Sequence, residues 1–279
     1  MRQLLRSLLP AAARDFARSL LGRSQPYGLA ESELCRLQRM PRYVATEVPF
    51  FGIPLQVCDA ASFLSAWREI FIEQIYRFTA ASPSPLFIDA GANIGLASIA
   101  ILQQYPAARI VALESDPQIC EILAGNLKAR PASAVQILNR AVWDSDEALL
   151  FAQDRADSGR VGPGGQLRVQ GLRFLTLLEQ YERVDFLKMD IEGAEVRVLL
   201  DCESVLDRVE HVFVEYHSSA GQSQQLSQLL GVLQRTGFRY YIKQAGVCSI
   251  RPLIQRQVES GFDLQLNIFG TRTASDDSG

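Results

Sequence analysis

The chain has 279 residues, 48% hydrophobic and 21% charged, with a formal net charge of −3, enough for one large α/β domain or a domain with a helical extension. This balance excludes the basic face of a nucleic-acid binder, and no apolar run reaches the roughly 20 residues that span a bilayer. Five scattered cysteines without a CxxC argue against a disulfide framework or zinc site and fit a reducing cytoplasm.

Residues 1–40 read as a basic, amphipathic helical extension. Arg2, Arg6, Arg14, Asp15 and Arg18 interrupt its apolar stretches, so no signal-peptide core forms. Leu4, Leu5, Leu8, Leu9, Phe16, Leu20 and Leu21 take the apolar positions. Within it, residues 1–24 offer a peripheral contact with a membrane or a partner; packing on the domain is the simpler reading. Residues 41–82 read as a hairpin and a helix leading into the core. Val44–Val48 and Ile53–Val57 flank a Phe-Phe-Gly turn, and Ala61–Phe78 has helical apolar spacing. Ser82-Pro83-Ser84-Pro85 breaks that helix.

From 83 to 272, strands and helices alternate. Strands are predicted at 86–89, 109–113, 135–138, 184–189, 211–216, 238–242 and 264–269, with a side hairpin from 148–151 and 167–169. Helices are predicted at 94–104, 117–129, 194–200 and 223–236, Pro117 suiting a first turn. Repeated β-α units imply a mostly parallel sheet covered on both faces. The last two strands have only a loop between them, so they pair antiparallel. Residues 273–279 are polar and read as a disordered tail.

Ligands of open α/β sheets sit at the carboxyl ends of strands, and the chemistry-bearing residues fall there. The first predicted core strand runs into Asp89-Ala90-Gly91-Ala92-Asn93-Ile94-Gly95. Its glycines permit a sharp turn and close approach to a ligand. Glu114 ends the next strand, where a carboxylate can accept from both hydroxyls of a ribose. Both features suit NAD as well as S-adenosylmethionine. The dinucleotide fingerprint G-x-G-x-x-G is absent, because Asn93 and Leu96 stand at two of its glycine positions. A ligand without a pyrophosphate does not need them, and Asp89 entering the loop fits a cationic ligand end.

Lys188-Met189-Asp190-Ile191-Glu192-Gly193-Ala194-Glu195 follows the fourth core strand. It puts charge at the edge of a buried sheet, which is costly unless used or paired. Lys188 and Asp190 share one face by the period-two rule, while Glu192 and Glu195 also suit a helix N-terminus. Glu215-Tyr216-His217 ends the fifth strand. Of the two histidines, His211 reads as structural and His217 as a candidate general base.

Together these motifs resemble the FkbM family of class I methyltransferases. The resemblance rests on 87–95, on Glu114-Ser115-Asp116-Pro117 with Asn126, on Asn139-Arg140-Ala141-Val142, on 186–195, and on Val214-Glu215-Tyr216-His217. Glu69-Ile70-Phe71 to Tyr76 is similar to the helix before that family's first strand. The resemblance implies a Rossmann-like, seven-stranded, mostly parallel sheet with an antiparallel last strand. It implies S-adenosylmethionine as cofactor and methylation of a hydroxyl on a sugar, glycan or secondary metabolite. Asp89, Gly91, Asn93, Gly95, Glu114, Ser115, Val142 and Asp190 are then the expected cofactor contacts, with Asp144 or Val142-Trp143 framing the adenine. His217, Asp190 and Lys188 are the expected catalytic residues. Ser115 stands where the family commonly has proline, and residues 1–40 fall outside the resemblance. Asp190 and Glu215 offer oxygens to a cation, but without fixed spacing no metal is expected. An NAD-dependent oxidoreductase and a non-catalytic nucleoside-binding scaffold are the alternative classes.

Overall fold

The computed structural model describes residues 27–130, 134–153, 159–162, 165–246 and 249–272. The amphipathic segment 1–24 and the tail 273–279 lie outside these residues. A short helix α1 (Glu31–Leu37) precedes the hairpin β1 (Thr46–Phe50) and β2 (Ile53–Val57), joined through the Phe51-Gly52 turn. Helix α2 (Ala60–Trp67) starts at Asp59, whose side chain accepts from the Ser62 amide.

The predicted long helix over 61–78 ends early. A π-helical turn follows at Arg68–Ile72, and Gln74 takes a left-handed φ of 56°. Tertiary contacts override the local periodicity here. The Tyr76 ring packs edge-on against Phe213 at 4.9 Å, and Phe78 lies 5.1 Å from Phe186. Tyr105 donates its hydroxyl to the Phe78 carbonyl. The chain must peel from the helix axis to bring both rings onto the sheet.

The central sheet comprises β3 (Leu86–Ala90), β4 (Arg109–Glu114), β5 (Ala134–Asn139), β10 (Val184–Met189), β11 (Val209–Ser219), β12 (Phe238–Ala245) and β13 (Phe262–Arg272). Its order is β12-β13-β11-β10-β3-β4-β5. Five strands are mutually parallel, from β5 to β11. The last strand, β13, runs antiparallel between β11 and β12. Both β3 and β10 are buried along their whole length, as expected of strands covered on both faces.

The β3–β4 and β4–β5 crossovers carry helices α3 (Leu96–Gln104) and α4 (Pro117–Lys128). Asp116 caps α4 through the Gln118 and Ile119 amides, and Pro117 opens its first turn. Between β5 and β10 a side sheet of order β6-β9-β7-β8 appears, from Ala141–Trp143, Leu167–Arg173, Ala148–Ala152 and Arg160–Val161. The expected 148–151/167–169 pairing is its β7–β9 ladder. The three-residue β6, the two-residue β8 and the five-residue helix α5 (Phe174–Leu178) carry no periodic signal, being too short to complete one. Helices α6 (Glu195–Asp201) and α7 (Leu226–Arg235) complete the layers.

Two buried clusters hold the sheet. One joins Leu86, Ile88, Leu113, Leu187, Val198, Val212 and Leu233. The other places Val48, Phe50, Leu55 and Phe63 against Phe87, Ile99, Ile110 and Phe213. The hairpin and α2 are therefore one wall of the core. Among the described residues, no helix is long and apolar enough to cross a membrane.

Candidate functional site

Two cavities open at the carboxyl ends of β3, β4, β10 and β11. They share Gly91, Asn93, Asp190 and Glu192. The first and narrower one is lined by Glu114, Ser115, Asp116, Ile119, Val142 and Phe151. The second, of about 400 Å³, is lined by Glu69, Tyr76, Lys188, Glu215, Phe262 and Gln265 among others.

The glycine loop is built against its neighbours. The amides of Gly91 and Ala92 both donate to the Leu113 carbonyl, at 3.0 and 2.9 Å. Gly91 has a φ of 80°, and a Cβ there would lie 1.8 Å from the Asp190 carbonyl oxygen. Only glycine fits, because both the backbone region and the space exclude a side chain. We expect Gly91→Ala to destabilise the fold by about 3 kcal/mol or more, read from the urea midpoint; an unshifted midpoint would refute this packing.

Glu114 is 8% exposed. Its Oε2 accepts from the Asn93 amide at 2.8 Å, and its Oε1 from the Asp116 amide at 2.9 Å. Each oxygen keeps a second acceptor site. Burial pushes this carboxyl up from its usual range, opposed by those two amides. The carboxylate is thus held rigid by the loops on either side of it.

Lys188 is the hub of the second cavity. Its Nζ donates to the Gly91 carbonyl and lies 3.5 Å from Asp89 and 3.4 Å from Asp190. Burial opposes its charge, but Asp190 and Asp89 outweigh that and push it up to about 12. Asp190 and Lys188 meet on one face, as the alternation requires.

Four expected residues stand elsewhere than anticipated. Asp89 is fully buried and lines neither cavity. It accepts from Ser98 Oγ at 2.7 Å and pairs with Lys188, so it supports the loop from beneath instead of facing a ligand. Gly95 also lies off both cavities. Its φ of 93° starts α3, where a Cβ would meet Leu123 at 2.8 Å. His217 is 5% exposed and lines neither cavity. Its Nδ1 contacts Glu195 Oε1 at 3.0 Å, and Nε2 lies 3.6 Å from Glu192 Oε2 and 3.8 Å from Glu215 Oε1. Burial opposes its charge, yet Glu195 and Glu192 push it up to about 10. That moves it away from the range of a free base titrating near neutrality. Asp144 is likewise engaged elsewhere, on Arg197 at 2.6 Å.

The remaining expected contacts, Gly91, Asn93, Glu114, Ser115, Val142 and Asp190, all line the first cavity. Sequence reading missed Glu69 and Tyr76 on the wall of the second. Glu69, one of two glutamates in a largely apolar helical stretch, was the available signal. Glu192 and Glu215 are also cavity carboxyls. Burial drives Glu192 up to about 9, against the pull of His217. Burial and Asp190 drive Glu215 up to about 8.

The sheet order and the strand-end placement of these groups define a Rossmann-like α/β protein of the class I methyltransferase type. The sequence profile described as Methyltransferase FkbM domain matches residues 89–240, more than half of the chain. The chain belongs to the FkbM methyltransferase family. It is 29% identical over 203 residues to Methyltransferase sdnD of Sordaria araneosa, covering 59% of this chain and 78% of that protein. It is 28% identical over 183 residues to Methyltransferase 1 of Beauveria bassiana, covering 55% and 73%. A crystal structure of Methyltransferase FkbM from Methylobacillus flagellatus aligns with a TM-score of 0.48 and 17% identity, over 71% of this chain and 46% of that one.

Proposed function

We propose that this methyltransferase uses S-adenosylmethionine and transfers its methyl group to a hydroxyl of a small molecule or glycan. The observation that carries this reading is the pair of cavities meeting at Gly91, Asn93, Asp190 and Glu192. One cavity suits a nucleoside and the other is large enough for an acceptor.

The donor set of the first cavity fits a nucleoside. Glu114 presents two free acceptor sites to a ribose diol, Ser115 adds a polar edge, and Ile119, Val142 and Phe151 offer an apolar slot for a flat base. When bound there, S-adenosylmethionine supplies an electrophilic methyl group on its sulfonium. Asp190, common to both cavities and held by Lys188, orients the acceptor hydroxyl by accepting its hydrogen bond. Glu215, raised to about 8, takes the hydroxyl proton. A carboxyl raised above its ordinary range is a stronger base than an ordinary glutamate. Residues 1–24, proposed as a peripheral contact with a membrane or partner, lie outside the described residues.

The test uses S-adenosylmethionine carrying a carbon-13 methyl group with a panel of sugars, polyketides and amines. The methyl chemical shift separates O-methyl from N-methyl products. Transfer to amines alone would overturn the hydroxyl assignment. Glu215→Gln is expected to lower turnover about a hundredfold with cofactor affinity unchanged.

A further inference from the structure

The carboxyl cluster behind the second cavity is not explained by an acceptor site alone. Five buried or half-buried carboxyl groups, Asp89, Asp190, Glu192, Glu195 and Glu215, share two cationic side chains, Lys188 and His217. Lys188 is taken up by Asp89 and Asp190. The rest crowd around one imidazole, and carboxyl groups held so far out of water must either stay protonated or be matched by a further cation.

The local geometry shows where it would sit. Glu195 accepts from the Ile191 and Gly193 amides, at 3.2 and 3.0 Å, and faces His217 Nδ1 at 3.0 Å. An acceptor so fixed calls for a proton on Nδ1 and leaves Nε2 with the free lone pair in the neutral ring. Carboxylates orient metal-ligating histidines in this way. The His217 side chain is 1% exposed, and among the described residues its Nε2 makes no hydrogen bond. The carboxylate oxygen nearest to it, Glu192 Oε2, is also buried and has no hydrogen-bond partner among the described residues. Their 3.6 Å separation is too long for a hydrogen bond. It is the spacing of two donors sharing one ion, because ligands about 2.1 Å from a metal at a tetrahedral angle lie roughly 3.5 Å apart. Asp190 completes the set: one ligand atom from each of Asp190, Glu192 and His217 falls within 4.8 Å of the other two.

We propose that Asp190, Glu192 and His217 bind one divalent first-row transition cation at the inner end of the second cavity. One imidazole and two carboxylates suit Mn²⁺, Fe²⁺ or Zn²⁺ better than Ca²⁺. Three protein ligands leave coordination positions open towards the cavity, where Glu192, Asp190 and Glu215 line the wall. A cation there polarises an acceptor hydroxyl and lowers its pKa. This role rests on the methyl-transfer reading, whereas cation binding does not.

The test is Mn²⁺ alone, titrated into chelator-stripped full-length protein, with free Mn²⁺ followed by electron paramagnetic resonance. We expect one equivalent to bind, and Glu192→Gln and His217→Asn each to weaken it at least tenfold. Glu195→Gln, acting through His217, is expected to weaken it about tenfold. Asp144→Asn, which loses only an ion pair with Arg197, should bind as the unaltered protein does. Circular dichroism establishes that each variant is folded; should His217→Asn unfold, Glu192→Gln carries the test. No stoichiometric uptake, or uptake indifferent to Glu192→Gln, overturns the site. S-adenosylhomocysteine binding is measured separately by calorimetry. Mn²⁺ uptake without nucleoside binding would support the metal site and remove the cofactor reading; the reverse would do the opposite.

Discussion

Glu114→Ala is expected to weaken S-adenosylhomocysteine binding at least a hundredfold. Hydrogen bonds to a charged group contribute about 1.5–3 kcal/mol each, and two of them lost from a ribose amount to roughly two decades or more in affinity. The substitution also removes the acceptor of the Asn93 and Asp116 amides. The loops on both sides of the cavity then lose their common anchor, which adds to the loss. Glu114→Gln keeps one acceptor oxygen and should fall between the two. Because burial raises the Glu114 carboxyl, affinity should begin to decline on acidification earlier than for an ordinary glutamate. Calorimetry against pH checks both statements. Equal affinity in Glu114→Ala would remove the ribose assignment and, with it, the placement of the nucleoside in the first cavity.

Lys188→Met has the largest expected effect on stability. Lys188 is 5% exposed, and two carboxyl groups, one of them fully buried, depend on its charge. Removing one partner of a buried ion pair costs about 3–5 kcal/mol. The sign of the pH dependence follows from which state holds more protons. In the unaltered protein the lysine, raised to about 12, contributes stability that is fully present below its unfolded value near 10.4 and is lost as pH rises through 12. In the variant, Asp89 loses the cation that opposes its burial. Its carboxyl then holds its proton more tightly folded than unfolded, so the variant gains stability as the pH falls. Urea unfolding at pH 5 and pH 8 should show the smaller deficit at pH 5. Asp89→Asn in the Lys188→Met background should recover part of the loss. A deficit equal at both pH values would mean that packing, not charge, is what Lys188 provides.

Much of this protein was legible from the chain. The buried strands 86–90 and 184–189 are short, mostly apolar runs with a charged residue just before the last position, Asp89 and Lys188, and that pattern marks strand, exit and site together. Asn93 and Leu96 at two glycine positions of the dinucleotide fingerprint, with the acid at 114, pointed to a nucleoside without a pyrophosphate, because loop backbone and strand-end charge are local properties. Period-two alternation was enough to put Lys188 and Asp190 on one face. Local pattern could not foresee the π-turn at Arg68–Ile72, since the packing of Tyr76 and Phe78 on distant strands decides where that helix stops. Nor could it tell a cavity carboxylate from a supporting one. Asp89 and Glu114 both end strands, yet only Glu114 lines the opening. The charge state of His217 was the furthest from reach. Its neighbours Glu192 and Glu195 come from the end of another strand, and carboxylates brought there from afar raise its pKa above that of a free imidazole against the effect of burial. Sequence set the chemistry available at each strand end; only the packing of those ends against one another decided which groups face a ligand and which hold its site in place.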